Sequence, residues 1–462
     1  MDGDVVKSTR TVDLTRILAE QASAVTYDAL PEPVRALARQ CVLDYYGVAL
    51  AGADDPLAKM LLDELAEAGG AAQASVIGST TRLPALSAAL VNGAIGHALD
   101  YDDVNLAMPG HPSVAILPGL IALAEQRRSS GQEIIAAFVA GYETACRIGM
   151  ALRPGHYDRG FHATGTVGCF GAAAACAHLL GLDAETTARA LGIAGTQAAG
   201  LKSQFGTMCK PFHAGKASQS GLLAARLAAR GFSSRPDLIE CEQGFALTHG
   251  PEFDPEAALA TPPNGFHIFA NLFKYHAACY LTHGPIECAR SLREQHRVQP
   301  EQVARMTLSL DRSCDRVCNI PAPTDGLEAK FSLRQNVAMA LSGVDTASLG
   351  AYSAATATDP TLVRLREKLV LDFHDGWPQA AAELEVALTD GRVLKAKHDA
   401  GIPSAHIAAQ GERLAAKFDA LAEPVLGAAH SRELRAAILG LDSLADMSAL
   451  TKLAVCSTPL NF

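Results

Sequence analysis

Apolar and small residues recur at helical spacing through most of the first 230 residues. The spacing of three and four is clear at 13–25, 83–99, 114–128, 132–149, 166–182 and 221–231, and it predicts amphipathic or buried helices. Ala and Gly fill many of the apolar positions, and such small side chains let helix axes approach closely. The pattern predicts a tight bundle of many helices with polar motifs on the connections between them.

The pattern changes after about residue 268. Residues 303–310 and 382–400 have the composition of strands, and Asp390-Gly391 marks a hairpin turn within the second stretch. Helical spacing returns at 332–343 and 359–370, and again from about residue 407 onward. We therefore expect a mainly α protein with a large all-helical domain, residues 1–267 and 405–462, and an inserted smaller α+β domain, residues 268–404.

Composition and charge narrow the class of protein. The chain has 462 residues, of which 49% are hydrophobic and 19% charged, so a globular protein with extensive burial is expected. The formal net charge of −10, without a long Lys/Arg run, predicts no nucleic-acid partner. No apolar run as long as a membrane span and no signal-peptide pattern are evident, which predicts a cytoplasmic protein without a membrane partner. Eleven scattered cysteines favour reduced thiols.

The segment HALDYDDVNLAMPGHPS, residues 97–113, concentrates titratable side chains in a loop that follows a predicted helix. A single member of the set Asp100, Asp102, Asp103 and His111 could be a helix cap or a surface charge. Three acids within four residues beside an apolar helix instead favour a functional role for at least one acid together with His111. The His97 and Asp100 spacing is also compatible with a divalent metal site.

Two further clusters stand before predicted helices. His162 precedes a small-residue segment whose helix N-terminus would suit a carboxylate, although it could simply cap the helix. Lys210 and His213 lie between glycines, immediately before another predicted helix. A lysine there could be solvated, could pair with a substrate carboxylate, or could act as a base.

A fourth cluster, Lys274, Tyr275, His276, Tyr280 and His283, lies at the predicted domain junction, where ligand pockets tend to form. We expect it to begin a helix, which would place two of its histidines, seven residues apart, on the same helical face. A buried structural role for either histidine is an equal alternative.

These motifs carry a resemblance. The segments HALDYDDVN…GHPS, GYETACRIG, GFHATGTVGCFGAAAACAHLLGLD, GTMCKPFHAGKASQSGLLAARLAARGF and KYHAACYLTH, in this order, resemble the MmgE/PrpD family of 2-methylcitrate dehydratases, cis-aconitate decarboxylases and iminodisuccinate epimerases. The resemblance implies a helical domain with an inserted α+β domain, a homodimer, no cofactor and no metal, and chemistry on small di- or tricarboxylates. The catalytic residues it implies are Asp100, His111, His162 and Lys210. Substrate binding is expected from Lys210, His213, Lys274, Tyr275, His276 and His283.

The type of reaction is the open question. Removing a proton from carbon next to a carboxylate requires stabilisation of the charge that develops, which clustered acid, imidazole and ammonium groups supply. The decarboxylase branch has a threonine four residues after the acid and a histidine later, where this chain has Val104 and Cys279. We therefore expect a lyase of the dehydratase type first, an epimerase second and a decarboxylase third. A metal-dependent hydrolase and a non-catalytic binding protein are remote alternatives.

Overall fold

The computed structural model describes residues 12–456, so the two ends of the predicted helical domain, 1–11 and 457–462, lie outside the described residues. The chain divides into two compact units, which are described separately. The first unit includes the residues up to Asn271 and those from Ala422 onward, and the second is Leu272–Leu421. The sequence analysis predicted the two domain boundaries at 267/268 and 404/405. The later boundary falls inside one continuous helix, Ile407–Leu426, whose first part groups with the second unit.

Most of the first unit is helical, as the periodicity predicts. Its helices up to residue 271 are α1 (Leu14–Ser23), α2 (Glu32–Gly52), α3 (Pro56–Ala68), α4 (Ala85–His97), α5 (Pro112–Arg127), α6 (Gly131–Leu152), α7 (Gly155–Asp158), α8 (Ala163–Leu179), α9 (Ala184–Gly195), α10 (Cys209–Ala229), α11 (Phe245–His249) and α12 (Pro255–Leu259), with 3₁₀ turns at Tyr27–Ala29, Lys202–Gln204, Pro263–Gly265 and His267–Ala270. The unit is not wholly helical, because β1 (Ala74–Ser75) pairs with β2 (Arg82–Leu83) in an antiparallel ribbon.

Small residues bring the central helices α4, α8 and α10 into close contact. A Cβ added to Gly93 of α4 would lie 2.6 Å from the Cα of Gly215 in α10. A Cβ added to Gly221 of α10 would lie 2.4 Å from the Cβ of Ala172 in α8. Backbones this close exclude any larger side chain, which explains why Gly and Ala occupy these faces.

One helix in the described part of the chain, α6, is long and apolar enough to cross a membrane by length and composition alone. However, 83% of its most apolar window is buried inside the protein. Such burial is what a core helix of a helical bundle shows, because its apolar surface is covered by neighbouring helices such as α8.

The second unit combines helices with one mixed sheet. Its helices are α13 (His283–His296), α14 (Ser313–Cys318), α15 (Gly326–Lys330), α16 (Leu333–Leu341), α17 (Ala354–Ala357), α18 (Pro360–Arg366) and the start of α19 (Ile407–Leu426), with 3₁₀ turns at Tyr280–Thr282, Pro300–Gln302 and Leu349–Ala351. Its strands are β3 (Val303–Asp311), β4 (Leu369–His374), β5 (Ala381–Leu388) and β6 (Val393–Asp399). The strand order is β4-β3-β5-β6, with β3 and β4 parallel and the other pairs antiparallel.

The hairpin predicted at Asp390-Gly391 is present between β5 and β6, where Gly391 has a φ of +89°. The helix predicted over 359–370 is wrong in its last part, because α18 ends at Arg366 and Leu369 begins β4. The β4 backbone pairs with β3 in the register Leu369 opposite Met306. A pairing partner 63 residues away thus overrides the local helical spacing.

The chain after α19 returns to the first unit. Helix α20 (Ala428–Leu439) packs against α2, and α21 (Met447–Leu453) packs against α5, with a 3₁₀ turn at Leu441–Ser443 between them. The C-terminal helices therefore lie on N-terminal helices, as an insertion between the two parts of a discontinuous bundle requires.

Candidate active site

The polar motif of residues 97–113 connects the end of α4 to the start of α5 and lies beside the start of α8. Helix α4 ends at His97, and α5 begins at Pro112, so the intervening loop returns His111 close to the point where the loop started. Asp100 has a φ of +50° within this loop. Aspartate is one of the few residues with a side chain that adopts this left-handed conformation readily, which suits it to a sharp turn at a functional site.

The loop is held against the start of α8. The backbone N–H of His111 donates to Oγ1 of Thr164 at 3.1 Å. A Cβ at Gly110 would lie 2.9 Å from the Thr164 nitrogen, so glycine allows this close approach. His162 stands at the N-cap position of α8, and the turn of α8 therefore places it beside the loop.

Asp102 is a fully buried carboxylate between two imidazoles. His97 Nδ1 lies 2.9 Å from its Oδ1, and His111 Nδ1 lies 3.1 Å from its Oδ2. Burial alone would raise the pKa of Asp102, but the adjacent His111 and His97 outweigh it and hold this pKa well below its ordinary value. Asp102 is thus an anion that accepts a hydrogen bond from His97 and lies within ion-pair distance of His111 Nδ1.

Burial has the opposite effect on His97, whose pKa it lowers to about 4 despite the nearby Asp102 carboxylate. The ring is therefore neutral at pH 7 and donates from Nδ1 to Asp102. Its Nε2 is buried and has no hydrogen-bond partner among residues 12–456. A buried nitrogen in this state is an acceptor available to a ligand.

Asp100 and Lys210 form the solvent-facing side of the cluster. Lys210 Nζ lies 2.7 Å from Asp100 Oδ1, and His111 Nε2 lies 3.6 Å from the same oxygen. The Asp100 side chain is 43% exposed, whereas those of Lys210 and His111 are 15% and 11% exposed. Each ring nitrogen of His111 thus faces a carboxylate, one buried and one open to solvent. Lys210 lies within the first turn of α10, not before the helix as the sequence suggested.

His162 and His213 make a second imidazole pair. Their Nδ1 atoms are 3.1 Å apart, so one ring must donate and the other must accept. Burial, together with His97 and Lys210 nearby, lowers the pKa of His162 far below its ordinary value, and burial also lowers that of His213. The Phe205 ring packs edge-on against His162 at 4.9 Å. Neutral rings in this position can accept or donate a proton without carrying a lasting charge.

The third acid of the motif, Asp103, faces the protein interior. It accepts from Ser113 Oγ at 2.5 Å and from Asn271 Nδ2 at 2.9 Å. Burial, together with the nearby Asp44 carboxylate, raises the pKa of Asp103 to about 7. These contacts are internal to the first unit, so we interpret Asp103 as an anchor for the loop.

The predicted cluster at 274–283 belongs to the second unit and is not a continuous helix. Helix α13 begins only at His283, because residues 274–279 are extended or bent. His276 nevertheless lies beside His283, with ring centroids 5.0 Å apart. Nε2 of His276 lies 2.8 Å from Glu287, and its Nδ1 lies 2.8 Å from Thr346 Oγ1. Both of its nitrogens contact protein groups, so His276 holds this segment in place, and its role in substrate binding stays a prediction.

The substrate-binding roles expected of Lys274, Tyr275 and His283 stay predictions. Lys274 is only 2% exposed, and Tyr275 stacks beneath the Arg413 guanidinium at 3.8 Å. Burial and the neighbouring His276 and Lys274 lower the pKa of His283 well below its ordinary value. A buried imidazole with a lowered pKa is neutral near pH 7, which is compatible with either the structural role or the predicted substrate-binding role of His283.

The first unit therefore brings together five of the predicted residues, namely Asp100, His111, His162, Lys210 and His213. The sequence did not identify His97 as the partner of Asp102, nor Phe205 as the wall beside His162. The position of His97 at the end of a buried helix, five residues before a second acid, was the available signal for the first. No local pattern marks Phe205, because its loop meets His162 only through tertiary packing.

The same cluster has the donor set of a metal site. One ligand atom from each of His97, Asp100, Asp102 and His111 lies within 4.8 Å of the others. Imidazole and carboxylate donors in this number suit a divalent ion such as Zn²⁺. Lys210 places its ammonium 2.7 Å from Asp100 and would compete with such an ion for that carboxylate.

Comparison with known sequences addresses the identity of the chain. The MmgE/PrpD N-terminal domain matches residues 16–258, and the MmgE/PrpD C-terminal domain matches residues 276–443. The chain belongs to the MmgE/PrpD family. The two domain matches together cover most of the chain, and the resemblance carried by the sequence motifs is confirmed.

Three relatives of this chain are named for one activity, cis-aconitate decarboxylation. A cis-aconitate decarboxylase from Aspergillus terreus is 28% identical over 96% of this chain and 96% of its own length. A cis-aconitate decarboxylase from Homo sapiens is 28% identical over 82% of this chain and 81% of its own length. A cis-aconitate decarboxylase-like protein from Aspergillus oryzae is 30% identical over 66% and 68%, respectively. These names are those of lyases, and they give no specific support to the dehydratase type expected first.

Proposed function

We propose that this MmgE/PrpD protein is a lyase that acts on a small di- or tricarboxylate by proton transfer at the carbon next to a carboxylate. The observation that carries the proposal is the placement of His111. Its two ring nitrogens lie 3.1 Å and 3.6 Å from the Asp102 and Asp100 carboxylates, beside the Lys210 ammonium. A proton carrier, a fixed anion and a cation for substrate carboxylate are thus within one loop and one helix turn.

The roles follow from charge and exposure. Lys210 would exchange its partner Asp100 for a substrate carboxylate and would stabilise the negative charge that develops there. His111 would carry the proton from Nε2, because this nitrogen faces the solvent-exposed Asp100 whereas Nδ1 faces the buried Asp102. His162, neutral and paired with His213, would serve as the complementary acid or base.

Decarboxylation and dehydration are the two reactions proposed for this lyase, and a different observation supports each. The names of the relatives favour loss of carbon dioxide: the carbon–carbon bond breaks, its electron pair stays on carbon, and a histidine delivers a proton there. Val104 and Cys279, which replace a threonine and a histidine of the decarboxylase branch, favour the dehydratase form, in which a carbon–oxygen bond breaks instead. We place decarboxylation first, because it is the named activity of relatives that match over nearly the whole length.

Three other features are also proposals; the first two rest on the family, and the third rests on the sequence analysis. We propose that the enzyme uses no cofactor, forms a homodimer and is cytoplasmic. Sedimentation at several protein concentrations would test the homodimer, and a single monomeric species at micromolar concentration would contradict it.

A substrate screen in deuterated water tests the proposed reaction. Aconitate-like, citrate-like and aspartate-derived polycarboxylates are incubated with the protein and followed by NMR. Carbon dioxide release with deuterium where the carboxylate had been indicates decarboxylation, and formation of an alkene with loss of water indicates dehydration. Label in an inverted stereoisomer of unchanged composition would instead indicate an epimerase and would contradict the lyase.

The same screen includes two controls. His111→Gln should lower turnover at least ~100-fold, whereas His430→Gln changes an exposed histidine of α20 and should leave turnover intact. Turnover that is lost on exhaustive chelation and restored by Zn²⁺ would contradict metal-independent chemistry and would favour the metal reading of the His97 cluster. Equal turnover in His111→Gln and the wild type would refute the assignment of His111.

A further inference from the structure

We propose that the second unit contains a separate binding site for a compact oxyanion that carries two or more negative charges. The site is a cavity of about 340 Å³ bounded by α13, the turn after α16 and the first part of α19. Its volume falls in the range of roughly 300–1,000 Å³ that is common for small-molecule pockets. None of the four candidate catalytic residues of the first unit lines it, although Tyr275 and His276 of the predicted substrate-binding set do.

The lining of this cavity is predominantly cationic. Its charged residues are Arg290, Arg293, Arg413 and Lys417 against Glu294 and Asp345. Four positive side chains thus face two negative ones in a chain whose formal net charge is −10. Guanidinium groups match the paired oxygens of carboxylate and phosphate, and a concave wall concentrates their field.

Several of these charges are already engaged in the wall. Arg413 forms an ion pair with Glu287 and stacks on Tyr275 at 3.8 Å from the ring centroid. Arg290 lies 3.3 Å from Glu294. These contacts hold the guanidinium groups in place and neutralise part of their charge, so an anion would meet a preorganised but only moderately positive wall.

Arg293 differs from its neighbours, because it forms no ion pair or hydrogen bond among residues 12–456. Its guanidinium lies against Gly343, where an added Cβ would be 2.4 Å from Nη2. Gly343 has a φ of +79°, which side chains rarely adopt. The turn thus has both the space and the conformation that let this cation lie along the cavity wall.

The turn that carries Gly343 also supplies polar groups. Asp345 Oδ1 accepts from the backbone N–H of Ala347 at 3.0 Å, so part of its charge stabilises the turn itself. Thr346 Oγ1 lies 2.8 Å from His276 Nδ1 and links the cavity to the buried His276–Glu287 pair. The cavity wall is therefore fixed by internal contacts, while the Arg293 guanidinium has its hydrogen-bonding capacity available for a ligand.

The test measures binding rather than activity. Inorganic phosphate and citrate are titrated by calorimetry and by thermal unfolding, with sodium chloride matched for ionic strength. Arg293→Gln should weaken binding at least about tenfold, as expected when a charge-assisted hydrogen bond is removed. Arg364→Gln removes the same charge from an exposed position of α18 and should leave affinity unchanged. Arg290→Gln, on the same wall, provides a second variant should Arg293→Gln fold poorly.

All titrations are repeated in the Lys210→Met background, so that an anion held by the first unit does not contribute. Binding of phosphate and citrate alike would identify a general oxyanion site, and binding of one alone would identify its source. Either result supports the proposal when Arg293→Gln or Arg290→Gln reduces it and Arg364→Gln does not. Binding of neither probe, or equal effects of Arg293→Gln and Arg364→Gln, would overturn it without bearing on the proposed lyase.

Discussion

Replacing Lys210 by methionine distinguishes a catalytic role of its ammonium group from a structural role. The Lys210 Nζ lies 2.7 Å from Asp100 Oδ1, and its Nζ is also 5.3 Å from the centroid of the Phe205 ring. Methionine keeps an unbranched apolar stem of similar length, so packing of the first turn of α10 should survive. The substitution removes only the charge that would meet a substrate carboxylate.

The expected effects on stability and on turnover differ in size. The ion pair with Asp100 is partly open to water, since the Asp100 side chain is 43% exposed, and such pairs contribute about 0.2–1 kcal/mol to stability. A preorganised cation aimed at developing negative charge contributes about 2.7–4 kcal/mol to the transition state, or roughly 10²–10³ in rate. Lys210→Met should therefore lower kcat/KM by about 10²–10³ while unfolding shifts by at most about 1 kcal/mol.

The assay compares kcat/KM on the substrate identified by the screen with the denaturant midpoint of the same preparation. Lys216→Met, six residues along the same helix, is the matched control, since Lys216 is bonded to Gln219 and lies away from Asp100. Its kcat/KM should remain within about twofold of the wild type. Retention of most kcat/KM in Lys210→Met would show that the lysine is a surface ion-pair partner and would refute its assignment.

Two further substitutions test the rest of the cluster, and a third tests His156 of α7, whose Nε2 lies 2.8 Å from Thr166 Oγ1. His111→Gln keeps a hydrogen-bonding amide but cannot cycle a proton, so kcat should fall at least ~100-fold in steady-state assays. Asp102→Asn removes the anion shared by two imidazoles, so the pH dependence of kcat should shift, and an unchanged pH–rate profile would argue against that role. Burial lowers the pKa of His156 to about 4, so its contribution to stability is lost as pH falls from 6.5 towards 4. His156→Gln should flatten this part of the stability curve by up to about 1.4 kcal/mol per pH unit in denaturant titrations, and an unchanged slope would contradict the prediction.

The residues of the candidate site could be predicted from the sequence, but the contacts between them could not. The motif at 97–113 already contained Asp100, Asp102 and His111, because these residues are neighbours along the chain. Asp102, rather than Asp100, accepts from His97 and lies 3.1 Å from His111 Nδ1, and this depends on how the loop folds back between α4 and α5. Spacing alone does not determine that return, since the left-handed turn at Asp100 sets its direction.

The sequence by itself determined the helical bundle of the first unit and the hairpin of the second. Helical spacing of small residues and a turn dipeptide between alternating strand residues are local patterns. They predict a helix or a hairpin without knowledge of which distant segments pack against it. Only the tertiary structure decided that Leu369 begins β4, that residues 274–279 are not helical, and that Phe205 lies against His162. Each of these depends on contacts between distant residues, and burial against such a partner outweighs the weak local preferences that the sequence expresses.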